Sequence, residues 1–258
     1  MEYSNSDLSL PSLSVIIPTY NSAEGIDITI DSLMQQYYPS LEVIVIDGGS
    51  EDRTLEFIKS KAFAAVKIYV SPQRNLFDRL NRGSVLAKGT YLNFLFPGDS
   101  YLHPHALEQM MHLAALEKGE EYPDLLYSGC LLRSPGREVQ IVSEALSVQL
   151  AKRGEEPARL QSLWLRRDFF FAIGQFPNSC LKRAGFDLIC RILQKTPLTF
   201  SRSTHILVDH LDRPRNLRRR FSHFLETAQL IFHYFGFFAA LSYVLQIDRL
   251  KRSLFRKR

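Results

Sequence analysis

The chain has 258 residues, of which 45% are hydrophobic, 23% charged and 12% aromatic, with no low-complexity tract or obvious repeat. That size and balance exclude a disordered chain, a fibrous repeat and a small disulfide scaffold, and leave one large globular domain or a domain with an appendage. The formal net charge of +5 gathers in two C-terminal clusters, residues 213–220 and 249–258, a local basic surface suited to an anionic partner, either lipid headgroups or nucleic acid.

The first residues are polar, acidic through Asp7, and lack a basic stretch leading into an apolar run, so no secretory signal is expected. Residues 13–20, Leu-Ser-Val-Ile-Ile-Pro-Thr-Tyr, make a β-branched run of the kind a buried strand requires. A helix follows over 24–36, with Ile26, Ile30, Leu33 and Met34 on one face. Residues 41–46 form the next buried strand, and Asp47-Gly-Gly-Ser50 turns into a helix over 52–61. Residues 66–70 read as a third strand. The helix over 75–88 sets Leu76, Leu80 and Ala87 at near-helical spacing, and Gly89 closes it as a left-handed cap. Residues 91–96 are a fourth strand ending at Pro97-Gly-Asp-Ser100, and Pro104 opens a helix to about 117.

This alternation of strand and helix implies an α/β fold, a mostly parallel sheet with helices on both faces. Ligands bind beyond the carboxyl ends of such strands, so the loops after Ile17, Ile46, Val70 and Phe96 are the chemically interesting ones. Beyond Tyr122 the pattern weakens to strands at 124–127 and 138–142, helices at 160–173 and 184–194, and a last short strand at 206–208. One domain over 1–210 accommodates all of this. Cys130, Cys180 and Cys190 are odd in number and fit no zinc or redox spacing, which makes them reduced core residues.

The tail, 211–258, is different. Between Glu226 and Asp248 it holds no Asp, Glu, Lys or Arg, and its aromatic stretch is flanked on both sides by basic clusters. Polar residues such as Thr227, Gln229 and His233 dilute it, so helices lying in a headgroup layer are favoured over a membrane span. Packing on the domain or on a second copy, giving a homodimer, is the other alternative.

Two carboxylates stand at strand ends. Asp47, before two glycines that let a ligand approach the backbone, can accept hydrogen bonds from a base or ribose, or can simply shape a strand-to-helix turn. Asp99 can hold Mg²⁺ or Mn²⁺ beside a diphosphate, or belong to an ordinary β-turn.

Taken in order, four motifs resemble family 2 glycosyltransferases of the GT-A fold, with the Asp-Gly-Gly-Ser form seen in exopolysaccharide and lipopolysaccharide assembly enzymes. They are Val15-Ile-Ile-Pro-Thr-Tyr-Asn21, Val45-Ile-Asp-Gly-Gly-Ser-Glu-Asp-Arg-Thr54, Leu76-Phe-Asp-Arg-Leu-Asn-Arg-Gly83 with Ala87-Lys-Gly89, and Tyr91-Leu-Asn-Phe-Leu-Phe-Pro-Gly-Asp99. The resemblance implies a nucleotide-binding half over 13–111 and an acceptor half over 112–210. It implies a donor site at Pro18, Thr19, Tyr20, Asp47, Gly48, Asp78 and Asn81, with Thr19 and Asp47 at the base and ribose and Asp78 and Asn81 near the sugar or diphosphate. Asp99 would bind Mn²⁺ or Mg²⁺. The implied reaction is inverting transfer from a UDP- or GDP-sugar to a saccharide or lipid-linked acceptor, at the cytoplasmic face of a membrane with an anionic surface.

Three positions depart from the pattern. Gly98 replaces a second acid, as in the exopolysaccharide-type relatives, and Gln73 replaces an acid before the Asp78 helix. In Ala184-Gly-Phe-Asp-Leu-Ile-Cys-Arg191 the family's catalytic base falls on Gly185. Asp187, two residues on, is the catalytic candidate, against a plain role in the helix's first turn. Gly174-Gln175 stands where relatives carry a His-Gln pair. His205 and His210 lie where some GT-A enzymes supply a metal ligand, although lone histidines are more often structural. The alternative to an active enzyme is a degenerate nucleotide-sugar-binding or scaffold protein. Nucleic-acid binding is disfavoured, because no recognition motif accompanies the arginines.

Overall fold

Alternate side chains of the first strands go to opposite faces of one sheet, and each face is closed by its own helices. The computed structural model describes residues 9–61, 64–71, 75–177, 183–212 and 217–245, with 217–220 described by backbone alone. Cys180, Gln73, Arg213, Arg215, the side chains of Arg218 to Arg220 and the 249–258 cluster therefore lie outside the described residues. The elements run β1 (Leu13–Thr19), α1 (Ile26–Met34), β2 (Leu41–Asp47), α2 (Thr54–Lys61), β3 (Val66–Val70), α3 (Leu76–Leu86), β4 (Tyr91–Phe94), β5 (Ser100–Tyr101) and α4 (Ala106–Leu116). The second half continues with β6 (Leu125–Arg133), β7 (Gln140–Val142), α5 (Val148–Lys152), β8 (Leu163–Arg166), α6 (Arg167–Ala172), α7 (Ala184–Gln194), β9 (Phe200–Leu211), α8 (Leu217–Phe235) and α9 (Phe237–Leu245).

The strands order as β3-β2-β1-β4-β8-β6-β9-β5, with β7 beside β6. The first four are parallel, as their βα alternation requires. Beyond them the sheet is mixed: β8 runs antiparallel to both β4 and β6 and β5 antiparallel to β9, whereas β6 and β9 are again parallel. Val15, Ile17, Val43 and Val45 pack with α1 and α4 on one face, whereas Ile16, Ile44 and Ile46 pack with α3, α6 and α7 on the other. A third cluster joins Ala151 of α5, Phe186 and Cys190 of α7, and Leu230 and Ile231 of α8, so the tail helices share a core with the sheet domain.

Three expectations change. Residues 160–173 are not one helix but a 3-10 turn (Leu160–Ser162), then β8, then α6. Leu163, Trp164 and Leu165 are all fully buried between β4 and β6, and a strand covered on both faces has no period that separates it from a helix. The last strand extends well beyond 206–208, because polar residues such as Ser201, Arg202 and Thr204 occupy the exposed positions of β9. Gly89 is not a left-handed cap. α3 ends at Leu86, and Gly89 instead lets its chain lie on β1, donating N–H to Ser14 Oγ at 2.8 Å. A Cβ there would fall 2.5 Å from the Ser14 backbone nitrogen. Gly89→Ala is therefore expected to cost about 2 kcal/mol and to lower Tm by about 6 °C, read by thermal denaturation.

Candidate active site

The loops after β1, β2 and β4 are bonded to one another at a single rim of the sheet. Asn21, at φ 45°, joins the first two: its N–H meets Ser50 Oγ at 2.9 Å and its Oδ1 accepts from Glu51 N at 2.9 Å. Left-handed backbone is tolerable for asparagine. The N–H groups of Ser22 and Ala23 bond Thr54 Oγ1 and Asp52 Oδ2 in the same way. On the other side, Gly98 N donates to Gly25 O at 3.0 Å, and Thr29 Oγ1 donates to Asp99 O at 2.8 Å. Gly25 and Gly98 both have positive φ, and a Cβ on Gly25 would meet Gly98 Cα at 3.1 Å. The strand ends that carry Asp47 and Asp99 thus open on one side, joined by the loop after β1.

Asp47 lies opposite Thr19 in the parallel register and is fully buried. Its carboxylate accepts four hydrogen bonds from its own rim: Thr19 Oγ1 at 2.7 Å, Ser50 Oγ at 2.6 Å, Ser50 N at 2.7 Å and Gly49 N at 2.9 Å. The side chain therefore sets the shape of the glycine turn. Pro18 is buried within β1 opposite Ile46, whereas Tyr20 projects from the rim 41% exposed. Gly48 leaves space that Arg79 and Tyr20 use: a Cβ there would meet Arg79 Nη1 at 2.8 Å and Tyr20 Cδ2 at 3.2 Å. Arg79, on the first turn of α3 beside half-buried Asp78, is almost fully buried. Burial pulls its guanidinium below the usual range, while Asp47, Asp78 and Tyr20 act in the opposite sense.

Asp99 is buried, and its oxygens meet groups from three elements. Oδ1 lies 2.8 Å from His210 Nδ1 of β9 and accepts Leu211 N at 3.1 Å. Oδ2 accepts Phe96 N at 3.1 Å and Gln161 Nε2 at 3.1 Å. Gln161 Nε2 also lies 2.9 Å from His210 Nδ1. The backbone carbonyl of Gln161 is held by Asn93 of β4, whose amide donates to it at 2.9 Å. Among the described residues no group of three or more His, Cys, Asp or Glu side chains is arranged for a metal. Asp99 and His210 stand there as a neighbouring carboxylate and imidazole.

Comparison with known proteins decides what this rim belongs to. Residues 14–120 match the family model described as glycosyl transferase family 2. Residues 14–120 belong to that family. The chain is a glycosyltransferase of GT-A fold. A PGL/p-HBAD biosynthesis glycosyltransferase of Mycobacterium bovis is 29% identical over 206 residues, covering 78% of this chain and 77% of the relative. Staphylococcus aureus TarS, solved with UDP-GlcNAc, superposes with a TM-score of 0.65 at 16% identity, over 93% of this chain and 77% of that one. The mannosyltransferase PcManGT of Pyrobaculum calidifontis, solved with GDP-Man and Mn²⁺, superposes with a TM-score of 0.60 at 15% identity, over 94% and 77%.

The transferase places its remaining candidates unevenly. Asn81 gives both ends of its amide to the backbone of Phe176, at 2.8 and 3.0 Å, so it pins the loop after α6 to α3. Asp187 is 6% exposed; Oδ2 is held by Arg191 at 2.9 and 3.0 Å, and Oδ1 accepts Tyr234 OH of α8 at 2.7 Å. Arg191 in turn donates to Ile173 O and Gly174 O. Its carboxylate thus faces the tail helices and takes part in their contact with α7. Gly185, about 200° round the helix, faces Leu160: among the described residues a Cβ at 185 would approach Leu160 Cβ at 3.9 Å. Gly174-Gln175 follows α6 and is held through Arg191, whereas it is Gln161 that reaches Asp99. His205 is exposed, with Ser203 as its neighbour. His105 pairs with Glu108 at 2.7 Å, and His103 is held below its usual range by burial and then by His105 and His205. Cys130 and Cys190 are unpaired by disulfide and buried, and burial pushes both thiols up to about 12. Sequence reading missed Arg79 and Gln161. Arg79 was visible only as one position of a helical motif, and Gln161 sat inside a misassigned helix.

Proposed function

We propose that the transferase moves a sugar from a UDP- or GDP-sugar to a saccharide or lipid-linked acceptor, with inversion, in the synthesis of a cell-envelope polysaccharide or lipopolysaccharide. The observation that carries this reading is the rim on which the Asp47 turn, Arg79 and the Asp99–His210 pair open together. Asp47 orders the turn so that the Gly48 and Gly49 backbone and the Tyr20 ring face the nucleoside, while Arg79 fixes a positive charge beside it. Pro18 and Thr19 brace the turn from β1, and half-buried Asp78 stands next to Arg79 on the first turn of α3.

Asp99 and His210 fit a divalent cation. A carboxylate and an imidazole suit Mn²⁺ or Mg²⁺, and Asp99 and His210 are the residues that would hold it. His210 Nδ1 has a single lone pair, so a cation there would take the place of its contact with Gln161, which keeps Asp99 Oδ2. A cation held there supplies charge neutralisation for the departing diphosphate. The acceptor hydroxyl attacks the anomeric carbon from the side opposite that diphosphate as the bond to the diphosphate breaks, and its proton passes to water, since the family's base position falls on Gly185.

A second reading, donor binding without turnover, is favoured by one observation: Gly185 carries no carboxylate and Asp187 is turned to α8. Both readings require donor binding. UDP or GDP with Mn²⁺, at a hundredfold excess over Kd, is expected to stabilise the protein by about 2.7 kcal/mol, read as a rise in melting temperature. A temperature unmoved by any nucleotide diphosphate, with or without Mn²⁺, would remove both. Release of sugar from the donor by the pure protein separates the first from the second.

A further inference from the structure

We propose that the outward face of the α8–α9 hairpin is a docking surface for an anionic lipid bilayer, with α9 lying in the plane of the headgroups. This goes beyond the transferase reading and does not depend on it.

The two helices meet at Gly236, whose φ of 82° turns the chain between them. At ~100° per residue, Phe221, Leu225 and Phe232 fall within about 40° of one another on α8, and all three are exposed. Thr227, Leu230 and Ile231 take the opposite side and are buried on the domain. Tyr234, on that same side, reaches Asp187, and its carbonyl accepts Gln194 Nε2 at 3.0 Å, so the orientation of α8 is fixed.

α9 repeats this division, with Ser242 as its one exposed polar residue. Ala239, Ala240 and Tyr243 pack inward on the third core cluster. Phe237, Phe238, Leu241, Val244 and Leu245 span an arc of about 120° on the other side, and none is buried; Phe238 is 84% exposed. An apolar face continued across two helices is not an ordinary solvated surface.

Three facts choose lipid over another occupant. Nine residues at ~1.5 Å each cover less than half of a ~30 Å hydrocarbon core, and among the described residues no helix is long and apolar enough to cross a membrane. Five arginines in 213–220 and six Lys or Arg in 249–258 bracket the hairpin in sequence, which complements anionic headgroups. Phenylalanine and leucine on one side with cations at the margins is the composition of an interfacial helix.

The test is flotation of the full chain with phosphatidylcholine vesicles containing about one third phosphatidylglycerol, and with phosphatidylcholine alone. The chain is expected to float with the anionic vesicles and much less with the neutral ones, and high salt is expected to weaken the association. Phe237→Ser with Phe238→Ser is expected to reduce the floated fraction about tenfold while leaving the melting temperature unchanged, since both rings are exposed. Failure of the unmodified chain to float, or equal flotation of the variant, overturns the proposal. So does a lipid-free dimer in light scattering that the same substitutions convert to monomer, which would assign the face to a second copy.

Discussion

Replacing Asp99 with Asn is expected to lower sugar transfer at least about a hundredfold and to abolish the Mn²⁺-dependent part of nucleotide binding. Asn keeps the size of the side chain and one acceptor oxygen, so it retains one of the two backbone bonds, from Phe96 N or from Leu211 N, and loses the other. What it loses is the negative charge and the second oxygen, and a divalent cation holds a neutral amide far less firmly than a carboxylate. His210→Ala tests the same pair from β9, where the ring is partly exposed and its removal leaves Asp99 bonded to Gln161. It is expected to weaken Mn²⁺-dependent binding less than Asp99→Asn does. The measurements are initial rates and melting-temperature shifts with UDP or GDP, each with and without Mn²⁺. If Asp99→Asn melts normally and still responds to Mn²⁺ with the nucleotide, the cation is held elsewhere.

The parallel half of the fold was legible because its strands are short apolar runs that end at turn residues. Their helices carry one apolar face, and the ligand rim follows from that topology. The second half was not, for a physical reason in each case. β8 is buried on both sides, so Leu163, Trp164 and Leu165 present no alternation. β9 has the reverse difficulty, since most of its twelve residues are polar or half-exposed and only Leu207 and Val208 are fully buried hydrophobics. That strand brings His210 to Asp99 across 111 positions of sequence, a separation no local pattern encodes. The carboxylates were found as residues but not as environments. Asp47 and Asp99 stand at strand ends as expected, yet three hydrogen bonds from its own turn and one from Thr19 make Asp47 a builder of the rim. For Asp187 the helix register was correct, and its neighbours on α8 could not be read from the sequence.

Asp187→Ala is expected to destabilise the protein by about 4 kcal/mol, because it leaves the Arg191 guanidinium and the Tyr234 hydroxyl without the carboxylate that holds both in a largely buried site. The loss spreads through one connected set of contacts. Arg191 also holds Ile173 O and Gly174 O, the next turn of chain is pinned to α3 by Asn81, and Tyr234 anchors α8. Tm is expected to fall by about 12 °C, whereas Asp187→Asn, which keeps an oxygen for Tyr234, falls less. The rate distinguishes this from catalysis. Removing a general base costs about a hundredfold or more even when the fold is intact, and the folded Asp187→Asn protein is expected to stay within about tenfold of the parent when assayed well below its melting temperature. Gly185→Asp probes the opposite face of α7, where among the described residues a Cβ approaches Leu160 Cβ at 3.9 Å. A carboxylate there is expected to raise turnover. A folded Asp187→Asn enzyme that loses activity by a hundredfold would return the base to Asp187 and require α8 to move away from it during the reaction.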